Sequence, residues 1–439
     1  VLGDGACSHK SYVIYICGKG VFCMRKTVCT LLAIMLALLS GCANSNEEAD
    51  ANIDQVNAAG GSVVINNNGY LDNFNYHALS KKTGIKISTT DYMTDEFLIK
   101  ILAEDSDVDI YLIRSTDILQ LSEKGIYYPL ESKIISDFND SCFDYISEYC
   151  SVDGETVYMP VNASSYAILM PKAAIEETGM EYSDIEYLDG YLEFARNYSG
   201  SRTAFTNGST LFSLLENQYE HFVCDFENNE FDYITPEYLN LYESLLGGYL
   251  RYAQEPGAPA GFTHSLAQNG ACHSDNVLMT IGSYDSYQDY NDSSYGNGTY
   301  NAYGKSVFFE KWRAFPLPKI SDKVSGNPTS NLFAMINPYS ENKEAAVKVL
   351  EEIASNYYVY GDYYTSYSFL FEDKSDYPEK YHPESEIFSD FYDIVKNGYI
   401  NKYVIFTSHP DIEEYQNGRA TLEEAVAMYQ REVEMWLNE

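Results

Sequence analysis

The chain has 439 residues, with 65 acidic side chains against 28 basic ones and a net charge of −37. Such a surplus of negative charge repels phosphate backbones and excludes nucleic acid as a partner. Aromatic residues make up 15%, and 42 of them are tyrosines, so this is the composition of a chain with a core and not of a disordered one.

Residues 1–23 carry three cysteines and no helical period, and they precede Met24. They read as an upstream extension with no part in the fold. "MRKTVCTLLAIMLALLSGC" then places Arg25 and Lys26 ahead of an apolar run, Val28 to Leu39. The run is about a dozen residues long, too short for the roughly 20 that a spanning helix needs. Charged head, apolar middle and small-residue end are the layout of a secretory signal. Leu39-Ser40-Gly41-Cys42 is similar to the bacterial lipobox. Residues 24–41 are therefore expected to be removed and Cys42 to carry lipid, with 42–59 as an acidic tether.

The pattern of the folded part is strand, loop, helix, repeated. "SVVI" is a short buried strand ending in a polar loop. "LDNFNYHALSKKTG" puts Leu71, Phe74 and Ala78 on one helical face, with Gly84 as the stop. "IKIS" is a second strand, and "TDEFLIKILAEDS" a helix with Phe97, Leu98, Ile101 and Leu102 inward. "VDIYLI" is a third strand, followed by a helix capped by Ser115 or Thr116 and closed by Gly125. Three such units predict a parallel sheet with helices on its faces. In such sheets ligands sit beyond the carboxyl ends of the strands. That rule selects Asn67, Tyr70, Asp91, Tyr92, Ser115 and Asp117.

Further on, "TVYMPVNASSYAILM" reads as two extended segments around a polar turn. Ser183 and Glu186 have capping-box spacing, as do Thr421 and Glu424. Thr235 with Pro236 marks another helix start. "NVLMTIGSYDSY" is a strand running into a tyrosine-rich loop. The last helix steps Leu422, Val426, Tyr429, Val433 and Trp436 along one face. Cys142, Cys150, Cys224 and Cys272 leave disulfide pairing and free thiols equally open.

No zinc signature, phosphate loop, dinucleotide fingerprint or nucleophile elbow is present. His264, Cys272, His273 and Asp275 are the nearest approach to a metal cluster, and the expectation is no metal and no cofactor. The absence of a catalytic constellation favours a binder over an enzyme.

Four stretches carry a family resemblance: "DVDIYLIRSTDILQLSEKGIYYPLESKI", "GETVYMPVNASSYAILMPKAAIEETGM", "WRAFPLPKISDKVSGNPTSNLFAMINPYSENKEAAVKVLEEIAS" and "NGRATLEEAVAMYQREVEMWL". In this order they resemble the extracellular solute-binding proteins of ABC importers, family 1, the oligosaccharide type. The resemblance implies an α/β, two-lobed periplasmic-binding-protein-like fold, each lobe a mainly parallel sheet flanked by helices. It implies an N-terminal lobe of 60–160 and 322–370 and a C-terminal lobe of 161–321 and 371–439, joined by crossing segments. It adds Ser164, Tyr166, Tyr284 and Asn331 to the expected cleft residues, with Tyr284 expected to stack on a sugar. The expected partners are a small solute, most simply a sugar, ABC permease transmembrane subunits, and the membrane through Cys42; the expected state is a monomer. Other readings are a polyamine binder, a surface glycoside hydrolase using two carboxylates, and a ligand sensor.

Overall fold

The computed structural model describes residues 61–67, 74–204, 208–226, 228, 230–247, 277–284, 311–360, 368–400 and 411–437. The signal, Cys42, the acidic tether, Tyr70, the 264–275 histidine–cysteine group and most of the tyrosine-rich loop lie outside them. No helix among the described residues is long and apolar enough to cross a membrane.

The strands of the main sheet are β1 (Ser62–Asn66), β2 (Lys86–Thr90), β3 (Ile110–Arg114), β4 (Tyr158–Pro171), β5 (Thr203–Ala204), β6 (Val277–Ser283), β7 (Trp312–Phe315), β8 (Pro328–Ile336) and β9 (Tyr399–Ile400). Flanking helices include α1 (Tyr76–Thr83), α2 (Thr94–Leu102), α3 (Ser115–Glu123), α4 (Leu188–Asn197), α5 (Gly208–Val223), α6 (Pro236–Tyr242), α7 (Lys343–Ser355), α8 (Glu386–Lys396) and α9 (Leu422–Leu437). One sheet runs β2-β1-β3-β8-β4-β6-β5, with β9 beside β8 and β7 beside β4.

The first three strands form as their sequence dictates. β1 pairs in parallel with β2, from Ser62 opposite Lys86 to Asn66 opposite Thr90, and in parallel with β3. Val63, Ile65 and Ile110–Ile113 are buried, against Phe97 and Ile101 of α2 and Val349 and Leu350 of α7. Gly84 ends α1 at φ +70°, a conformation in which a side chain is strained.

β4 is the element that differs from the sequence reading. It is one continuous strand of 14 residues, not two segments around a turn. Its first part pairs antiparallel with β8, Tyr158 opposite Met335 through Ser165 opposite Thr329. Its second part pairs with β6 and β7. The polar run Asn162-Ala163-Ser164-Ser165 looked like a turn because polarity was counted. The backbone groups there are taken up by the β8 ladder on one side and, on the other, by Ser368 and Phe369, whose hydroxyl and amide meet the Ala163 amide and carbonyl at 2.8 and 2.9 Å, so nothing forces a turn.

Two hydrophobic clusters result. The first takes in β1–β3, β8 and one face of β4. Phe369, Phe371, Phe388, Phe391, Tyr392 and Ile400 also belong to it; the sequence boundary at 371 placed most of that segment with the second lobe. The second cluster joins Ile168 and Met170 of β4 to α4, α5, α6 and to Val426, Tyr429 and Val433 of α9. α9 opens on the expected reciprocal cap: the Glu424 amide donates to Thr421 Oγ1 at 3.2 Å and the Thr421 amide to Glu424 Oε2 at 2.8 Å. Thr235 caps α6 as expected, accepting from the Tyr238 amide. Ser183 and Glu186 do not form a box. The Glu181 amide donates to Asp184 instead, and α4 begins only at Leu188.

Candidate functional site

The middle of β4 has an open side. Val161, Ala163, Ser165 and Ala167 are buried, whereas Asn162 and Ser164 are half-buried and Tyr166 is 40% exposed. From Ala167 to Pro171 every residue is buried again. The neighbouring strand repeats this: on β8, Thr329, Asn331 and Phe333 are buried, Ser330 is exposed and Leu332 half-buried. Ser330 lies opposite Ser164, and Leu332 lies opposite both Asn162 on β4 and Arg114 on β3. Residues paired across antiparallel strands share a face. Arg114, Asn162, Ser164, Ser330 and Leu332 therefore make one open row, continued along β4 by Tyr166. The row lies where β1, β2 and β3 end, the position at which ligands meet open α/β sheets.

The loops around this row are held firmly. The Asn66 side chain brackets Tyr92: its Oδ1 accepts from the Tyr92 amide at 2.8 Å and its Nδ2 donates to the Tyr92 carbonyl at 3.2 Å. The Asn67 amide donates to the Thr90 carbonyl at 2.8 Å, and the Tyr76 hydroxyl to Asn67 Oδ1 at 3.3 Å. The Lys100 ammonium sits 4.5 Å above the Tyr92 ring and 2.7 Å from Asp105. The hydrogen bond to Asp105 raises the Lys100 pKa and lowers that of Asp105.

Other expected site residues have structural occupations. Asp117 is buried and accepts from the Arg114 amide at 3.0 Å and from Arg114 Nε at 3.5 Å. This bond to the amide of Arg114, the residue before the helix, fastens the start of α3, where Ser115 or Thr116 was the expected cap; Ser115 is the buried first residue of the helix. Asn331 is 2% exposed and faces away from the row. Its Nδ2 donates to Thr329 Oγ1 at 2.7 Å, while its Oδ1 has no partner among the described residues. Asp91 is exposed at the end of β2.

Tyr284 is a correction. It is 2% exposed, with its ring edge-on to Phe369 and Phe391, both at 5.2 Å between centroids, and its hydroxyl donating to the Tyr381 carbonyl at 2.8 Å. A ring enclosed by phenylalanines with its hydroxyl used is core and presents no face for stacking on a sugar.

Sequence reasoning thus reached Ser164 and Tyr166 on the row and Asn67, Asp91 and Tyr92 at its margin, and missed Arg114, Asn162, Ser330 and Asn66. The signal for Asn162 was its period-two spacing from Ser164 and Tyr166. Arg114 is the last residue of β3, one position before the loop that was searched.

A surface cavity of about 590 Å³ lies elsewhere, between Glu177, Asp184, Glu193, Asn197, Tyr198 and Gly200. On its wall Glu177 accepts from the Tyr198 hydroxyl and from the nearby Arg202, and none of the residues lining it belongs to a strand. Cys142 and Cys150 are buried free thiols, both pushed up in pKa by burial, and Cys224 is also free. Cys272 lies outside the described residues. Among the described residues no three His, Cys, Asp or Glu side chains are grouped to hold a metal.

Comparison with known proteins agrees with this architecture. The family model described as bacterial extracellular solute-binding protein matches residues 70–356. Three solved structures are similar in fold, and the alignment to each covers 86% of this chain and 98% of theirs. They are the cyclic α-maltosyl-1,6-maltose binding protein of Arthrobacter globiformis (14% identity, TM-score 0.57), an ABC transporter solute-binding protein of Thermotoga lettingae bound with α-D-tagatose (14%, 0.55), and an ABC substrate-binding protein of Listeria monocytogenes in complex with cycloalternan (15%, 0.57). No curated protein sequence matches. With its two hydrophobic cores joined by shared strands and a family match over most of its folded part, the chain belongs to the bacterial extracellular solute-binding proteins and has their two-lobed α/β fold.

Proposed function

We propose that the protein is the substrate-binding subunit of an ABC import system and that it captures a sugar or oligosaccharide on the open row of β4 and β8. The observation that carries this is the gap in burial at Asn162, Ser164 and Tyr166, within strands buried on either side. Amide, hydroxyl and guanidinium groups suit sugar hydroxyls, and the Tyr166 ring offers an apolar face with a polar rim. The similar structures hold or are named for sugars. Within the row the charged group is Arg114, which favours a hydroxyl-rich solute over a polyamine. The two lobes close on the ligand by movement at the crossing strands, with Ser164, Tyr166, Asn67, Asp91 and Tyr92 contributing to the site and no catalytic step. Lipid on Cys42 holds the monomer at the outer face of the cytoplasmic membrane beside its permease. A thermal-shift screen over oligosaccharides, monosaccharides and polyamines tests the ligand class, since a ligand that binds only the folded state raises the melting temperature. Stabilisation by a sugar supports the proposal; stabilisation by polyamines alone contradicts it.

A further inference from the structure

One buried acid lies outside the site just described. Glu220, on α5, is 3% exposed. Its carboxyl accepts a hydrogen bond from the Tyr233 hydroxyl at 2.9 Å. One turn earlier on the same helix is Glu216, 8% exposed, which accepts from the Tyr238 hydroxyl of α6 at 2.5 Å. The two carboxyls thus enter the same tyrosine-lined interior. The ionisable groups facing Glu220 are Glu216 on its own helix, Cys224 just past that helix, Tyr233 on the following segment and Tyr399 on β9. From α9, Tyr429 packs on Tyr233 at 5.1 Å. Each of these is neutral or acidic, and none supplies positive charge.

The same helix also braces a crossing strand. Gln218, fully buried, donates from Nε2 to the Gly326 carbonyl at 2.6 Å and accepts at Oε1 from the Ile320 amide at 3.2 Å. These two residues belong to the turn that leads into β8. His221, exposed on the outer side, stacks on Tyr399 of β9 at 3.9 Å.

We propose that Glu220 is held protonated in the folded protein, and that its ionisation at rising pH loosens α5 from the second core and from the turn feeding the crossing strand β8. An ionised carboxylate in this interior would meet a neighbouring acid and a single hydroxyl donor, too little to replace its hydration. Burial and the neighbouring Glu216 both push the Glu220 pKa well above the ordinary carboxylate range. The folded state therefore binds this proton more tightly than the unfolded chain does. The stabilising contribution is complete below the unfolded glutamate pKa, about 4.3, and is lost as pH rises toward the folded value.

The test is thermal melting of the protein and of Glu220→Gln between pH 5 and pH 8. Wild type should lose roughly 2 °C per pH unit relative to the variant across the window in which Glu220 titrates. Titration of groups remote from Glu220 is common to both proteins and cancels in the difference. Hydrogen exchange at the Ile320 amide should accelerate with pH more steeply in wild type than in Glu220→Gln. Parallel melting curves overturn the proposal. If the variant fails to fold, infrared spectroscopy of wild type decides: a protonated-carboxyl band at pH 7, shifted in Tyr233→Phe and lost in step with the fall in melting temperature, supports it. Absence of such a band overturns it.

Discussion

Exchanging two tyrosines separates the core from the site. The Tyr284 ring is enclosed by Phe369, Phe388 and Phe391, and its hydroxyl satisfies the Tyr381 carbonyl. Tyr284→Ala removes a large buried aromatic, which costs about 3–5 kcal/mol, and strands a buried acceptor, about 1 kcal/mol more. A total of about 4–6 kcal/mol corresponds, for a folded part of this size, to a melting temperature lower by roughly 5–8 °C. Tyr284→Phe keeps the ring and should lose only about 1 kcal/mol. Tyr166, 40% exposed on the open row, should behave in the opposite way. Tyr166→Ala should change stability by about 1 kcal/mol or less and weaken sugar binding by about 1–3 kcal/mol, a loss of roughly five- to 150-fold. The assay is thermal melting of each variant with calorimetric titration of the sugar found by screening. The reasoning is refuted if Tyr284→Ala melts like wild type and loses ligand, while Tyr166→Ala binds normally.

Three further outcomes are expected. Asp109 is 1% exposed and accepts from the Val64 amide at 2.7 Å, from Ser340 Oγ at 2.5 Å and from Asn342 Nδ2 at 3.2 Å; Asp109→Ala should cost about 3 kcal/mol in denaturant titration, and a loss below measurement error would remove its role as a tie between β1 and the end of β8. Cys142 and Cys150, buried thiols whose pKa is raised, should resist alkylation at pH 8 until denaturant is added, as peptide mass spectrometry would show. Cys42→Ala should release the protein from the membrane fraction; complete retention under the same extraction would contradict lipid attachment there.

Part of the fold was legible because its signals are local. The apolar runs of β1 and β3, the stop at Gly84 and the Thr421–Glu424 box each depend on residues close in sequence. What could not be read was decided by partners far along the chain. Asn162–Ser165 has a turn's composition, and β8, more than 160 residues later, together with Ser368 and Phe369, supplies the partners that keep it extended. Tyr284 has a sugar-facing residue's chemistry, and only the phenylalanines of 369–391 make it core. Asp117 stood correctly at a strand end, yet a backbone amide three residues before it takes up its carboxylate. Position relative to a strand end was readable; whether a side chain there is open was not.

The central claim is that the open row of β4 and β8 is the floor on which the solute rests. The most direct measurement is calorimetric titration of Ser164→Trp, which sets a bulky ring on that floor at a half-buried strand position opposite Ser330. The unliganded variant should melt within a few degrees of wild type, because the ring occupies open space and strands accept tryptophan. Its affinity for the sugar should fall by at least about 100-fold, close to 3 kcal/mol. Wild-type affinity in a normally folded Ser164→Trp protein would place the ligand elsewhere and contradict the account.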